Sequence, residues 1–195
     1  MINLGNKLDK INYINSDTTT SFPPIKADLV SESYFINEVK EESLFGLLDN
    51  MWESSNKYLL FVEPGTINSY KRMMKIREYL ISKGGNIVAP CTHNKKCPIT
   101  NDWCHFVIRV ERSKLHKLLK EADAPYEDEK FTYLFIGKNE VKPINARILR
   151  HPLMYKGYVE LSLCKSNQII EEVRINKSQK DNYKKAKKSS VGDIY

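Results

Sequence analysis

The sequence predicts an α/β fold, in which strands and helices alternate through residue 120 and a β-rich part follows. Two observations lead to this prediction. In some segments apolar residues recur every three or four positions, as they do on one face of a helix. Between those segments lie short apolar runs that end at glycine or proline, as buried strands do. Such alternation is typical of a sheet of parallel strands with helices packed against it.

Three helices are predicted, over Glu42–Ser54, Asn68–Ser82 and Ser113–Glu121. Gly84 and Gly85 supply a stop for the second helix, because glycine tolerates the left-handed turn that ends helices. Ser113 is the predicted N-cap of the third. The residues expected to face inward are the apolar ones at helical spacing: Leu44, Leu47, Leu48, Met51, Trp52, Met73, Ile76, Leu80, Leu115, Leu118 and Leu119.

The strands are predicted at the apolar runs Ile11–Ile14, Ala27–Val30, Lys57–Val62, Asn86–Ala89, Phe106–Val110, Phe131–Ile136, Arg147–Arg150, Gly157–Cys164 and Ile169–Ile175. Ala124–Lys130 is expected to be a loop, because it contains a proline and three adjacent acidic residues. The strands after residue 120 fit an antiparallel edge or a small added sheet.

Cysteines give the clearest functional signal. Cys91, Cys97 and Cys104 fall within fourteen residues, and Cys164 follows sixty residues later. The segment that holds the first three is rich in proline and short polar residues, and it lacks the apolar periodicity of a core element. Four thiolates at one point suit an iron–sulfur cluster or a structural zinc ion. We therefore predict a metal site.

Several alternatives stay open at this stage. Zinc sites favour Cys-x2-Cys turns, so the wider spacing here favours the larger cluster, but His93 and His105 are also good zinc ligands. Cys164 alone could be a buried apolar residue of its strand. Disulfides are disfavoured, because the N-terminus has no apolar segment of signal-peptide length. The same feature, with no apolar run of transmembrane length, predicts a soluble cytoplasmic protein without membrane contact.

The formal net charge is +7, and its distribution suggests a polyanion as partner. Lys177–Lys188 carries six lysines against one acid. Arg112, His116 and Lys120 are spaced at four residues and are expected on one side of the third helix. The predicted nucleic-acid contacts are these three residues with Lys184, Lys185, Lys187 and Lys188. The alternative is a solvated surface with a disordered tail, which is more often the meaning of a lysine run.

Several consecutive blocks of sequence resemble one family over nearly the whole chain: Phe61–Thr66, Ile87–His93, Cys97–Pro98, Trp103–Phe106, Arg109–Lys117, Tyr126–Tyr133, Ala146–Pro152, Gly157–Leu161 and Gly192–Asp193. This is the family of methyltransferase-like assembly factors of the small ribosomal subunit, found in mitochondria and in bacterial relatives. The resemblance implies a class I methyltransferase (Rossmann-like) sheet with an inserted 4Fe–4S site. Its implied ligands are Cys91, Cys97, Cys104 and Cys164, and its implied partner is small-subunit rRNA.

On this resemblance, residues 1–138 form an incomplete methyltransferase-like domain that includes the metal loop, residues 90–105. Residues 139–176 form a β-rich extension with the fourth cysteine, and residues 177–195 form a basic tail. The alignment makes Ala27–Val30 the fourth strand of the methyltransferase sheet and Lys57–Val62 the fifth. The first two strands, which carry most of the cofactor site, are not in the chain.

The glycine-rich turn that binds S-adenosylmethionine in that family is also missing, since no Gly-x-Gly-x-Gly pattern occurs. Catalysis and S-adenosylmethionine binding are therefore not expected of this chain alone. The fourth strand would be left with a bare edge. A separately encoded N-terminal half could complete the sheet, the chain could be a gene remnant, or its C-terminal half could fold alone.

The sequence thus predicts an iron–sulfur-containing, methyltransferase-like factor of small-subunit assembly or translation that binds rRNA. Two functions of other classes stay open. One is an S-adenosylmethionine-dependent rRNA methyltransferase completed by a separate N-terminal half. The other is a zinc-stabilised nucleic-acid-binding module.

Overall fold

Two β-sheets, one mixed and one antiparallel, form the framework of the protein. The computed structural model describes residues 12–119 and 123–195. The first sheet and its helices comprise β1 (Ala27–Ser33), α1 (Glu41–Ser54), β2 (Ser55–Pro64), α2 (Ile67–Ser82), β3 (Asn86–Ala89), β4 (Phe106–Glu111), α3 (Lys114–Leu119) and β5 (Tyr126–Gly137). The second comprises β6 (Ala146–Ile148), β7 (Leu153–Tyr155), β8 (Tyr158–Lys165), β9 (Ile170–Asn176) and α4 (Lys180–Lys188). Single 3₁₀ turns, Ile36–Glu38 and Lys177–Gln179, precede α1 and α4.

β5 is the central strand of the first sheet. β1 pairs with β2 in parallel, and β2 pairs with β5 in antiparallel. On its other side β5 pairs in antiparallel with both β3 and β4. β1, β2 and β3 therefore run in one direction, as the alternation predicted, and β5 is an antiparallel strand between β2 and β3. In the described part of the chain β1 has β2 as its only partner.

The helices α1 and α2 bury the apolar faces that their spacing predicted. Their buried side chains and those of β2 and β5 form one core: Leu44, Leu47, Leu48, Met51, Met73, Ile76, Leu80, Leu59, Phe61, Leu134 and Ile136. The half-buried Cys91 packs against the same core. Burying each side chain of this size stabilises the fold by roughly 1.5–3 kcal/mol. The cysteine region therefore packs against a stable core.

The predicted loop Ala124–Lys130 is wrong, because β5 already begins at Tyr126 and pairs with β4 from there. The acidic residues suggested a loop, but basic residues on β4 and just after it neutralise two of them. Arg109 Nε lies 2.7 Å from Asp128 Oδ1, and Arg112 Nε lies 3.1 Å from Glu127 Oε2. Opposite charges across an antiparallel pair stabilise a ribbon whose faces are exposed.

Two further predictions are wrong, one for the helix between β4 and β5 and one for a strand near the N-terminus. Helix α3 begins at Lys114, and its side chains Leu115, Leu118 and Leu119 are 61–75% exposed rather than inward. The leucine spacing matched a helix face, but α3 lies beyond the core, where no described element covers it. The predicted strand Ile11–Ile14 is absent from residues 12–14, and Ile11 lies outside the described residues.

In the second sheet β8 is central, with β9 on one side and both β6 and β7 on the other. The predicted strand Arg147–Arg150 is the shorter β6, and β7 was not predicted. Helix α4 packs on this sheet through the buried Ala186 and the half-buried Tyr183. The chain then returns to β6, where Tyr195 N donates to Ala146 O at 3.0 Å. Residues 177–195 are thus packed on the second sheet.

A pair of carboxyl groups holds the turn after β1. Glu63, at the end of β2, is 1% exposed, and its Oε1 accepts hydrogen bonds from the N–H groups of Phe35 and Ile36, each at 2.9 Å. The Glu32 carboxyl accepts longer hydrogen bonds from the same two N–H groups, and in the described part of the chain its Oε1 has no hydrogen-bond partner. Burial and the neighbouring Glu63 raise the pKa of Glu32 to about 8. Glu32 is therefore a carboxyl group whose protonated form the fold favours.

This assignment predicts how stability depends on pH. The folded-state pKa of Glu32 lies above the ordinary 4.5, so its contribution to the free energy of unfolding is full below pH 4.5 and is lost as pH rises towards 8. We expect Glu32→Gln to remove this loss, so that the variant is more stable than the wild type at pH 9 and equal to it at pH 4.5. Urea denaturation across this range measures it. Glu38→Gln, at an exposed glutamate of the adjacent turn, is the control, and parallel pH profiles of Glu32→Gln and the wild type would contradict the assignment.

Candidate metal centre

The four cysteines come from two segments and line one cavity where the two sheets meet. Cys91, Cys97 and Cys104 lie in the cysteine loop (residues 90–105), and Cys164 lies on β8. All four thiols are free. Apolar side chains complete the wall, from Met74, Ile99, Leu134 and Leu149. In residues 12–119 and 123–195 no three His, Cys, Asp or Glu side chains already meet at the geometry that holds a metal ion. The fold gathers the sulfurs around one space without closing them on a single point.

The cysteine loop interrupts one edge strand. Ala89, the last residue of β3, pairs with Phe135, and Phe106, the first of β4, pairs with Phe131. Both strands run along the same side of β5 in the same direction, so they are two halves of one strand. Between the two pairings, no described strand pairs with Thr132, Tyr133 and Leu134 on this side of β5. These three residues form part of the wall of the cysteine cavity.

Side chains within the loop fasten it to the sheet. The Asn94 Oδ1 accepts a hydrogen bond from Ile87 N at 2.9 Å, which folds the loop back on β3. The Trp103 indole Nε1 donates to Gly65 O at 2.9 Å. Gly65 has to be glycine, because a Cβ there would lie 2.8 Å from the backbone of Lys130 on β5. The turn after β2 therefore packs closely on β5 and presents its carbonyl to the loop.

Arg77 of α2 donates hydrogen bonds to the backbone of the first half of the cysteine loop. Its side chain is 1% exposed, and its Nη2 donates to His93 O at 2.9 Å and to Lys95 O at 2.6 Å. Its Nε is buried and has no hydrogen-bond partner among the described residues. Burial raises the pKa of the Cys91 thiol, and the Arg77 guanidinium beside it opposes that rise. Arg77 thus places a buried positive charge next to a cysteine.

Two more arginines hold the ends of the loop from the second sheet. Arg147 of β6 is 7% exposed, and it donates from Nε to Pro90 O at 2.5 Å and from Nη1 to Gly192 O at 2.6 Å. Arg147 also pairs in register with Cys164. Arg150 donates to Trp103 O at 3.1 Å and to the Asp102 carboxylate. Arg147 and Arg150 therefore bind the cysteine loop at both of its ends.

Burial disfavours the charged form of the cysteine thiols. Burial raises the pKa of the thiols of Cys91, Cys104 and Cys164, and the neighbouring sulfurs raise it further. The three arginines oppose this rise only in part. Buried thiolates need a strong positive charge beside them, which a coordinated metal supplies.

Two hydroxyl groups also face the sulfurs. The Tyr70 hydroxyl of α2 lies 3.4 Å from Cys97 Sγ, and the Thr92 hydroxyl lies 3.9 Å from Cys164 Sγ. Tyr70, Met74 and Arg77 are spaced at four and three residues, so one side of α2 faces the site. None of these three residues was predicted at the site, and Arg147 and Arg150 were predicted only as the ends of a strand. An arginine at an apolar position of a helix was the available signal, because arginine is rarely buried without a role.

His93 and His105 were the reason to keep zinc as an alternative metal. Neither histidine is among the residues that line the four-cysteine cavity. The Nδ1 of His93 lies 3.1 Å from Lys95 O, and the Nδ1 of His105 lies 3.1 Å from Trp103 O. The His105 ring stacks on Trp103 with centroids 4.9 Å apart. Both rings support the shape of the loop.

The predicted nucleic-acid contacts divide into two groups. Lys184, Lys185, Lys187 and Lys188 are all exposed on α4, opposite the face that Ala186 buries. Arg112 precedes α3, so the prediction that it shares a helix side with His116 and Lys120 is wrong, and it pairs with Glu127. Lys120 and the side chain of His116 lie outside the described residues. Within the described part of the chain, α4 is therefore the element on which the predicted nucleic-acid contacts lie together.

The chain matches the model of a known protein family. The family model described as mitochondrial small ribosomal subunit Rsm22 matches residues 5–195, so the chain belongs to the Rsm22 family. This confirms the resemblance that the sequence blocks indicated.

Named relatives agree with this assignment. The chain is 26% identical over 215 residues to "Rsm22-cox11 tandem protein 2, mitochondrial" of Schizosaccharomyces pombe, covering 86% of this chain and 29% of that protein. It is 23% identical over 188 residues to "Ribosome assembly protein METTL17, mitochondrial" of Homo sapiens, covering 88% of this chain and 40% of that protein. The chain thus spans less than half the length of either relative. Their names place those proteins in mitochondria, and the cytoplasmic location of this chain stays a prediction. In the described residues no helix has the length and apolar character to span a bilayer.

The arginine contacts predict the effect of removing Arg77. We expect Arg77→Met to lower the free energy of unfolding by about 1.5–3 kcal/mol, since hydrogen bonds from a charged donor are lost. The freed loop should also let a maleimide react faster with the loop cysteines of the metal-free protein. Arg72→Met is the matched control, because Arg72 lies on the same helix but donates to Val39 O, away from the cysteines. Equal thiol reactivity in Arg77→Met and the wild type would show that Arg77 does not hold the loop.

Proposed function

We propose that the chain is a methyltransferase-like factor of small ribosomal subunit assembly that holds a 4Fe–4S cluster and binds rRNA. The observation that carries this proposal is the convergence of four free cysteines on one cavity in a member of the Rsm22 family. One relative is named as a ribosome assembly protein, and the family model as a small ribosomal subunit protein. The role in assembly is carried over from those names.

Cys91, Cys97, Cys104 and Cys164 would hold the cluster. The donor set fits, because four thiolates are the usual ligands of such a cluster. A single zinc ion needs its four sulfurs within about 2.3 Å of one point, whereas a cluster of four irons is larger and needs them farther apart. Sulfurs gathered around a shared space, with three arginines beside them, suit the larger group. When bound, the cluster would join the cysteine loop to β8 and could exchange an electron.

The sheet supports a partial methyltransferase fold. The sequence resemblance makes β1 the fourth strand and β2 the fifth, and the two are parallel neighbours. In the described residues the other edge of β1 has no strand beside it. A separate N-terminal half that pairs there is the partner we propose, and methyl transfer by this chain alone is not part of the proposal.

The RNA contacts are proposed on α4. Four exposed lysines occupy the solvent side of this helix, while Tyr183 and Ala186 fix it to the second sheet. Lysine side chains on a rigid helix present charge at a fixed spacing to phosphates, which contact RNA without reading its sequence. Specificity would come from the shape and single-stranded elements of the rRNA.

The metal prediction separates the cluster from zinc. Protein purified without oxygen should be brown and contain about four irons per chain, as a cluster held by four thiolates requires. Substituting Ser for Cys97, Cys104 or Cys164 should lower the iron content sharply and destabilise the fold, since metal binding and folding are linked. Iron and zinc are measured by elemental analysis, with Ser166→Ala, an exposed change next to β8, as control.

Two results would count against the proposal. Colourless wild-type protein with one zinc per chain would favour a zinc-stabilised module instead. Full iron content in Cys164→Ser would make Cys164 a core residue and leave a three-cysteine site.

The RNA prediction requires changing charges without removing the helix. Deleting residues 177–195 would remove the buried Ala186 and the segment that pairs with β6, so weaker binding could simply reflect unfolding. We expect Gln at Lys184, Lys185, Lys187 and Lys188 to weaken binding to diverse RNAs about equally. The slope of log affinity against log salt should flatten by up to about 3, at about 0.7–0.9 for each phosphate that the variant no longer neutralises.

Filter binding at several salt concentrations measures both quantities. The control variant carries Gln at four exposed lysines away from α4: Lys40, Lys71, Lys142 and Lys156. If both variants bind RNA equally weakly, the binding reflects net charge alone and α4 has no special role.

A further inference from the structure

The side of α2 that faces the cysteine cavity carries a hydroxyl group directed at one sulfur. Tyr70 is 8% exposed, and its hydroxyl oxygen lies 3.4 Å from Cys97 Sγ. This distance is a hydrogen-bond distance for sulfur. The contact joins the first sheet's helix layer to the middle cysteine of the loop.

Tyr70 is placed by the helix rather than by the loop. Thr66 caps the start of α2, accepting from Ser69 N at 3.1 Å, and its carbonyl accepts from Tyr70 N at 3.0 Å. Tyr70 therefore lies in the first turn of a helix packed on the core. Its hydroxyl position is fixed before any ligand binds to the cysteines, which is the condition for a hydrogen bond that discriminates between charge states.

Only one direction of this bond is possible when Cys97 binds metal. A coordinating cysteine is a thiolate and has no proton to give, whereas the tyrosine hydroxyl can donate. The surroundings are apolar, from Met74, Ile99 and Leu134, and a hydrogen bond is stronger in such surroundings than in water.

Other hydroxyl groups at the cavity are less well placed. The Thr92 hydroxyl is 3.9 Å from Cys164 Sγ, at the outer limit of a hydrogen bond to sulfur. Tyr133 lines the same cavity, but within the described residues its hydroxyl makes no hydrogen bond to any of the four sulfurs. Tyr70 and Tyr133 are therefore a matched pair, one bonded to a sulfur and one not.

We propose that Tyr70 is a positioning residue of the metal centre: its hydroxyl donates a hydrogen bond to the Cys97 thiolate and raises the reduction potential of the bound cluster. The inference rests on the proposed function, because it requires a cluster on the four cysteines. The sign follows from charge. Adding an electron makes the cluster and its thiolates more negative, so a donor bond stabilises the reduced form more than the oxidised form.

The test compares the reconstituted wild type with Tyr70→Phe and Tyr133→Phe. Iron and sulfide contents are measured first, and each protein is then titrated with a mediator-coupled reductant while its spectrum is recorded. In Tyr70→Phe we expect the ratio of oxidised to reduced cluster at a fixed potential to rise severalfold. A tenfold rise would correspond to a potential lower by about 59 mV for one electron. Tyr133→Phe should leave the ratio unchanged.

A second measurement detects the bond itself. Pulsed electron paramagnetic resonance of the reduced wild type in H2O and D2O should show an exchangeable proton coupled to the cluster, and Tyr70→Phe should lack it. Equal potentials in the wild type and Tyr70→Phe, both with full iron, would overturn the inference and leave the proposed cluster intact. Loss of iron from Tyr70→Phe alone would overturn it too, by showing that Tyr70 is needed for binding rather than for the potential. A wild type that takes up no iron would overturn the proposed function as well.

Discussion

The structure around the cysteines depends on a gap in one strand. β3 and β4 follow the same side of β5, and the pairing stops at Phe135 and resumes at Phe131. The three β5 residues left uncovered, Thr132 to Leu134, become part of the wall of the cavity. On its other side β5 stays paired with β2 through the gap. One wall of the cavity is thus formed by a strand that is hydrogen-bonded along its other edge.

Buried charge is the second constraint. An arginine out of water is costly unless its N–H groups are satisfied, and Arg77 and Arg147 are both almost fully buried. Backbone carbonyls of the loop, and that of Gly192, accept four hydrogen bonds from these two side chains. Carbonyls are dipoles and leave the net positive charge uncompensated. Thiolates at the four cysteines would compensate this positive charge. The buried arginines and the cysteine thiolates would therefore stabilise each other.

The elements with periodic apolar residues could be predicted from the sequence. The faces of α1 and α2, and β3 over Asn86–Ala89, follow from spacing and from the stop at Gly84 and Gly85. The failures have physical causes. Glu127 and Asp128 indicated a loop because their partners, Arg112 and Arg109, become neighbours only when β4 and β5 pair. Leu115, Leu118 and Leu119 have helical spacing, but spacing cannot say whether anything covers the face.

The four cysteines of the cavity could be picked out from the sequence, but the residues around them could not. Cys91, Cys97 and Cys104 are close in sequence, and the family resemblance added Cys164, which local spacing could not supply. Tyr70, Arg77 and Arg147 belong to elements that reach the site only through the tertiary fold. The lysines of residues 177–188 were visible as charge, but their helix was not expected, because Tyr183 and Ala186 are the only apolar residues in that run and mark its inward side weakly.

The interrupted strand has a consequence for how such a site can arise and change. The two pairings on β5 are four residues apart, a span of about 13 Å along a strand. A short extended peptide would cross that span and make one continuous strand, so the sheet itself has no need of residues 90–105. The cysteine loop is therefore an insertion between two halves of one strand, and the pairing of that strand with β5 does not depend on it. Lengthening or rebuilding it around its exposed residues Lys95 and Lys96 would reshape the centre while the sheet keeps its register, since the alternation of β5 fixes that register independently.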